Sequence, residues 1–470
     1  MMSKRREGSS RELHRVLADA QRKAIEKGGP VLGSNVRPWA EILNPAFLFQ
    51  AGAATSQTRM LWAWPAQGTW SVGIGTAADF YGTGPGRIRE VKQELVQLLQ
   101  DALTEGPQGQ GMGPVAFGGF RFQEHGSRDE RWQYFDDAQL TIPALLFTHT
   151  PSANWLTTNV LVKPDTDLPA IESALHATLD GLPTNNESEP FSETEVRSRE
   201  ETSPEVWRAE VEQAMGLIAR RRLDKVVLAR RLTLEMEKEP RVATMLSRLM
   251  EANPSCMVFA MGIGPDTFVG ATPERLVSLK EGRMMVDCLA GSAPRGATPE
   301  QDEEVGQRLL HSAKDLREHA FVVESVRDAL LPSCSNLRWD QTPTLSQLKH
   351  IQHLTTTFTG TIESDQHVLD LVERLHPSPA VGGTPTTTAM EVIRRLEGFD
   401  RGWYGGPIGW VGPNGDGEFC VAIRSALLHG NQAHLFAGAG IVAGSDPSSE
   451  FRETYLKFQP MISALAGAEE

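Results

Sequence analysis

The stretch EFCVAIRSALLHGNQAHLFAGAGIVAGSDPSSEFRETYLK, residues 418–457, decides the fold. From its left end apolar and polar side chains alternate with a period of two. HGNQ turns the chain, AHLFAGAGIV continues as another strand, and Asp446 followed by Pro447 opens a helix. With PIGWVG just upstream, the pattern predicts a three-stranded antiparallel meander closed by a helix. The alternation places Cys420, Ala422, Arg424 and Ala426 on one face, so Arg424 projects among small side chains. That leaves room beside the guanidinium for a carboxylate, which arginine binds through two parallel hydrogen bonds; an ordinary strand-end arginine in water is the plain alternative. Gly438, Gly440 and Gly444 have the spacing GxGxxxG with no βαβ unit around them, which excludes the dinucleotide fingerprint, and nothing in the chain matches GxxxxGK[ST]. Glycines leaving a strand just before a helix either bring backbone N–H groups close to an anion or make a tight turn, and spacing leaves both open.

The closing helix carries Glu450 and Glu453 three residues apart. A second helical segment, SAKDLREHAFVVESV (312–326), carries Asp315 and Glu318 at the same spacing. Like charges so placed repel by a few tenths of a kcal/mol even in water. Either pair alone is what a solvated helix face shows. Four such carboxylates beside apolar sequence make sense around a divalent cation. Magnesium prefers oxygen, takes one or two protein carboxylates and leaves its other positions to water and an anionic substrate. The expectation is an enzyme acting on a small carboxylate.

Composition sets the outer limits. A chain of 470 residues exceeds what one hydrophobic core usually supports, so two domains or one large two-lobed unit are expected. The 46 Lys and Arg against 60 Asp and Glu leave a net charge of −14, which argues against nucleic-acid and anionic-membrane partners. Cys256, Cys288, Cys334 and Cys420 form no CxxC pair and have no His at zinc-ligand spacing, so they read as thiols in a reducing compartment. The N-terminus lacks an apolar signal core, and no stretch approaches the roughly 18 apolar residues of a membrane span. A soluble cytoplasmic protein is the expectation.

Along the chain, residues 1–30 read as a charged N-terminal segment and 31–181 as a β-rich region. Residues 182–202 read as a polar linker or loop, and 203–470 as the part that carries the chemistry. TRMLWAWPAQGTWSVGIG and PVAFGGFRF are hairpin-like, and one helix, with Ile88, Val91, Leu95, Leu98 and Leu99 on a stripe, interrupts them. Ser203 and Pro204 signal a helix start, followed by the strand KVVLARRLTL (225–234). Thr298, Pro299 and Gln301 read as a capping box opening a helix whose stripe, Leu309, Leu316, Ala320, Val323 and Leu330, runs through the first acidic pair. Lys225 begins an otherwise apolar strand, normally a gatekeeper at a strand edge; to act as a base it must give up its proton. Glu274, in FVGATPERL, is unremarkable by itself.

Taken in order, KVVLAR (225–230), FVGATPERL (268–276), LAGSAPRG (289–296), SAKDLREH (312–319), QHLTT (352–356), LHPSPAVGG (375–383), RGWYGGPIGW (401–410), VAIRSA (421–426) and AGAGIVAGSDPSSEFRET (437–454) resemble the chorismate-utilising enzyme family, and within it the isochorismate synthases. The resemblance covers about residues 203–464. It implies an α+β, anthranilate-synthase-like fold of two large, mostly antiparallel sheets packed together with helices outside. It also implies a Mg²⁺-dependent isomerisation of chorismate, in which water adds at C2 while the C4 hydroxyl leaves. At the family's metal-binding positions stand Glu318 and Glu453, with Asp315 and Glu450 as their neighbours. Lys225 stands where water is activated, and Glu274 where the leaving hydroxyl is protonated. Substrate contacts carry over to Gly291, Ser292, His353, Ala380, Tyr404, Arg424, Gly438, Gly440 and Lys457. Ammonia-using relatives show Gln where Lys225 stands, so neither ammonia nor a glutamine amidotransferase partner is expected. Salicylate synthases, which go on to eliminate pyruvate, tend to have a Thr where Ala380 stands; that activity and a non-catalytic chorismate-binding module are the alternatives. Ser292 replaces the more usual Thr, and Asp315 is one methylene shorter than the Glu of some relatives. The product would feed menaquinone, siderophore or salicylate synthesis.

Overall fold

Alternating segments from both ends of the chain assemble into two large sheets. The computed structural model describes residues 2–41, 43–124, 129–182, 195–362 and 366–466. Among them the larger sheet has 13 strands. It runs from Val196–Glu201 through Lys225–Met236, Gln432–Ile441, Ser425–His429, Asp266–Thr272 and Met257–Ile263 to Thr58–Trp64, and ends beside Val31–Pro38 at Leu103–Glu105. The smaller has 10 strands, with Arg283–Pro294, Arg275–Lys280, Gly417–Val421, Pro407–Val411 and Ala116–Phe120 adjacent in that order. Neighbours are antiparallel, except that Val31–Pro38 and Leu103–Glu105 run parallel. Each sheet draws strands from before residue 182 and after residue 202, so the β-rich first part completes the sheets of the second.

Burial explains the layering. Trp62, Phe259, Phe268 and Phe436 from the larger sheet meet Phe117, Ile408 and Trp410 from the smaller in one aromatic cluster that also holds Trp132 and Trp403. Helices cover the outer faces. Val242–Ala252 and Pro447–Ala466 bury Met245, Leu246, Leu249, Phe458 and Ile462 with Leu232 and Leu234. Ala313–Leu330 and Val368–Leu375 bury Val322, Val326, Leu330 and Leu371 with Val277, Val286 and Phe358. Each large apolar side chain so buried stabilises the fold by about 1.5–3 kcal/mol. No described helix is long and apolar enough to cross a membrane.

Four expectations are corrected, and the charged N-terminal segment, for which none was stated, gains a structure. The charged N-terminus is a helix, Met2–Lys27, whose Leu13, Val16, Leu17, Ala20 and Ala24 are buried against Val31, Val160 and Val162; a stripe at helical spacing lay among the charges. Of the expected linker 182–202, residues 183–194 lie outside the described residues, and Val196–Glu201 is an edge strand paired with Leu232–Met236. Its side chains are mostly exposed, with Ser198 bonded to Glu235 and Glu201 paired with Arg230, so no apolar pattern announces it. The helix expected across 299–330 is two, Pro299–Leu310 and Ala313–Leu330, because the Ser312 hydroxyl accepts from the Asp315 N–H at 3.3 Å and caps a new start. Its buried stripe is accordingly His319, Val322, Val326 and Leu330, with Ala320 exposed. The segment 418–428 is not one strand. Gly417–Val421 belongs to the smaller sheet and Ser425–His429 to the larger, and the chain crosses between them at 422–424. The expected three-stranded meander is therefore four strands, two in each sheet.

Candidate active site

That crossing sets the site. Arg424 sits at its corner with φ 50°, a left-handed backbone that costs a residue with a Cβ about 1–2 kcal/mol. The corner lets the guanidinium leave both sheets and enter a cavity lined by Glu274, Gly291, Ser292, Glu318, His353, Ala380, Tyr404, Arg424, Gly438, Gly440, Glu453 and Lys457. Twelve of the sequence-derived positions thus share one cavity. Asp315, Glu450 and Lys225 stand just behind its wall: the first two are tied to Ser312 and Lys314, and Lys225 to Glu318.

Lys225 opens the strand Lys225–Met236 with no exposed surface, and its Nζ lies 3.1 Å from Glu318 Oε1. The angle there is not that of a hydrogen bond, and Nζ has no other hydrogen-bond partner among the described residues. The Glu318 carboxylate is therefore its one charged partner among the described residues. Gly440 makes the contact possible, because a Cβ there would fall 2.1 Å from Glu318 Oε1 and 3.2 Å from Lys225 Cε. Gly291 has φ 76°, and a Cβ on it would press to 3.1 Å of Asp315 Cβ.

Glu274 ends the strand Asp266–Thr272 through a Pro273 turn and is 5% exposed. Burial pushes its carboxyl up to about 8, against the opposing charges of Lys225, Lys457 and Arg424. At neutral pH it is a protonated acid in a cavity lined by Arg424 and Lys457 as well as by Glu318 and Glu453.

His353 bridges Arg424 and Ser292. Arg424 Nη2 lies 3.1 Å from His353 Nε2, and the other ring nitrogen, Nδ1, lies 2.9 Å from Ser292 Oγ. A guanidinium only donates, so Nε2 accepts and the proton sits on Nδ1, donated to Ser292. Burial and the Arg424 charge hold the imidazole well below its ordinary value, which keeps it neutral. Tyr404 stacks on Phe436 at 5.1 Å between centroids, and burial raises its phenol so that it stays a neutral donor. Lys457 donates to Gly438 O at 2.9 Å and to Glu453 Oε1 at 2.6 Å.

The carboxylates crowd as their spacing foretold. Burial raises Asp315, and the charges of Glu318 and Glu453 add to it. Glu450 is raised by burial and by Glu453, and is paired with Lys314 at 2.6 Å. Among the described residues no three metal-binding side chains converge into a ready cage. Glu318 and Glu453 on one cavity wall, with mutual repulsion around them, match an ion that takes two protein carboxylates and fills its shell with water and substrate.

Sequence reading missed four participants. Lys314, inside the motif SAKDLREH but given no role, pairs with Glu450 at 2.6 Å. His319, bonded through Nε2 to Thr356 Oγ1 at 2.9 Å and lowered by burial to about 4, lies next to Glu318. Glu397 and Arg401 form a buried ion pair behind the cavity; only the arginine fell inside a recognised motif, without a role.

Residues 19–466 match the family model described as chorismate binding enzyme. The chain is 37% identical over 464 residues to the isochorismate synthase MenF of Bacillus subtilis, covering 97% of this chain and 98% of that protein. It superposes on the menaquinone-specific isochorismate synthase MenF of Escherichia coli with a TM-score of 0.78 at 24% identity, over 96% of this chain and all of that one. Anthranilate synthase component I of Streptococcus pneumoniae shares the fold at TM-score 0.68 and 22% identity, over 84% of this chain and 92% of that chain. With its cavity built from the motifs of that family and the match running almost end to end, this chain belongs to the chorismate-binding enzymes.

Proposed function

We propose that the protein is a Mg²⁺-dependent isochorismate synthase, in which Lys225 and Glu274 move protons for opposite ends of one displacement. The observation that carries the reading is a buried carboxyl that holds its proton to about pH 8 on the wall of a cavity that also carries Arg424 and Lys457, with a fully buried lysine amine, ion-paired to Glu318, just behind that wall. A binding module needs neither. Glutamine, in ammonia-using relatives, could not serve as the base. The kinship with isochorismate synthases supports the same assignment.

In this mechanism Arg424, fixed by neutral His353, receives a substrate carboxylate through paired hydrogen bonds, and Tyr404 and Ser292 orient the ring. Lys457 adds a second cation. Lys225, acting as the base, takes a proton from water as its oxygen bonds to C2. The ring double bonds shift, the C4–O bond breaks, and Glu274 gives its proton to the departing hydroxyl, which leaves as water. Water enters and water leaves, so the step balances. Glu318 and Glu453 would hold Mg²⁺, with Asp315 and Glu450 beside them; its contribution would be to orient a substrate carboxylate and offset its charge.

Ala380 presents a methyl group to the cavity, with no hydroxyl to assist a further elimination, which favours a reaction that ends at isochorismate. The test is incubation with chorismate and Mg²⁺, with products separated by chromatography in the presence and absence of an isochorismatase. Isochorismate that the added enzyme consumes supports the proposal. Stoichiometric pyruvate without that enzyme would assign a salicylate synthase, and chorismate binding with no turnover would assign a binding module.

A further inference from the structure

We infer that Glu397 and Arg401 are a positioning pair that takes the place of a missing strand beside Lys225. The inference rests on the isochorismate-synthase reading and extends it to groups outside the cavity. The strand Lys225–Met236 is paired along one edge with Gln432–Ile441 from Val226 to Glu235. Its other edge is interrupted. Gly383–Thr384 pairs only with Lys225 and Val226, the Val227 N–H reaches Gly382 O at 2.7 Å, and the edge strand Val196–Glu201 does not begin until Leu232. Between these two partners the backbone groups Val227 O and Ala229 N face no strand.

The ion pair fills that gap with side chains. Glu397 Oε1 accepts from the Ala229 N–H at 2.7 Å, and Arg401 Nη2 donates to Val227 O at 2.8 Å. The two are joined by Arg401 Nε donating to Glu397 Oε2 at 2.8 Å and by a second hydrogen bond to Oε1. Arg401 Nη1 also donates to Val381 O at 2.9 Å, so the same guanidinium ties down the loop that presents Ala380 and Val381 to the cavity. Their side chains are 1% and 4% exposed, and neither lines the cavity. They therefore act through others. An acceptor for one amide and a donor for one carbonyl, two residues apart, are what an antiparallel neighbour supplies. A strand there would add bulk behind the cavity, whereas a fork of five donors spans strand and loop at once. Lysine, with a single nitrogen, cannot hold Val227 O, Val381 O and Glu397 together.

The test compares wild type, Glu397→Gln and Arg401→Lys as full chains, with kcat and KM for chorismate at saturating Mg²⁺, product identity, and amide hydrogen exchange over residues 225–230. Glu397→Gln keeps the shape of the acceptor, so it guards against loss of folding in the arginine variant. The expected result is kcat lower by roughly a hundredfold, as for a small displacement of a reacting group, with KM changed less than about threefold and isochorismate still the product. Exchange at 225–230 should quicken in both variants. Variants that melt earlier yet keep wild-type kcat and wild-type exchange would overturn the inference, as would a rise in KM with kcat preserved. If wild type makes no isochorismate, the functional reading fails, and exchange decides the pair alone. Quickening confined to 225–230 supports it, and unchanged exchange refutes it.

Discussion

Replacing Glu274 by glutamine should stabilise the protein by an amount that grows with pH while abolishing its proton delivery. The carboxyl sits near 8 in the folded protein against 4.5 for an ordinary glutamate. A raised folded value means that the native state holds the proton more tightly than the unfolded chain. The associated stability is fully present below about pH 4.5 and is lost progressively until pH passes the folded value. Linkage puts the loss at about 1 kcal/mol at pH 5, about 3 at pH 7 and about 4 at pH 8. Glutamine carries no titrating proton and escapes this loss. Unfolding entropy of about 2.1 cal/mol/K per residue over the whole chain makes 1 kcal/mol worth about 1 °C. The melting temperature of Glu274→Gln relative to wild type should therefore climb by about 3 °C between pH 5 and pH 8, measured by calorimetry without divalent ions. Any constant offset from the amide group cancels in that comparison. A difference that stays level across the range, or shrinks, would refute a buried neutral acid. In parallel, wild-type kcat/KM should fall as pH rises through about 8, and below that pH the variant should lose roughly 10²–10⁴-fold in rate.

Other outcomes follow from the same geometry. Lys225→Ala should eliminate isochorismate formation while leaving Mg²⁺ affinity close to wild type by calorimetric titration; a metal affinity that falls as steeply as activity would make Lys225 structural. Gly440→Ala puts a methyl group 2.1 Å from Glu318 Oε1, so the Mg²⁺ concentration for half-maximal activity should rise at least about tenfold, as expected when one of two ligating carboxylates is displaced; an unchanged requirement would remove Glu318 from the metal site. Arg424→Lys should raise KM for chorismate by about tenfold or more, since one ammonium cannot reproduce a bidentate contact, and a wild-type KM would place the substrate carboxylate elsewhere.

Much of this was legible before any coordinates. Ser203 and Asp446 cap their helices because short polar side chains beside Pro have few other uses, and both do so here. The acidic pairs announced a crowded wall because charge repulsion is local. Composition could not reveal what long-range pairing creates. Val196–Glu201 is strand because Leu232–Met236 lies beside it, and nothing in VRSREE says so. The period-two pattern read across 418–428 breaks where the chain changes sheets, since Cys420 and Ala422 share a cluster with Leu427 while Ala426 and Leu428 pack under the helices of the larger sheet; a left-handed arginine leaves no trace in a hydrophobicity pattern. Glu397 and Arg401, four residues apart with only the arginine inside a motif, give no sign in the sequence of the strand edge that they complete.

The central claim is that solvent water enters the ring at C2 as the original C4 hydroxyl departs. Turnover of chorismate in ¹⁸O-labelled water, with isochorismate isolated at low conversion and examined by mass spectrometry, tests it most directly. The account requires one solvent oxygen in the product, placed at C2, and none when Lys225 is alanine because no product forms. Isochorismate that retains the original hydroxyl oxygen would contradict it and point to a transfer within the substrate that needs no base at residue 225.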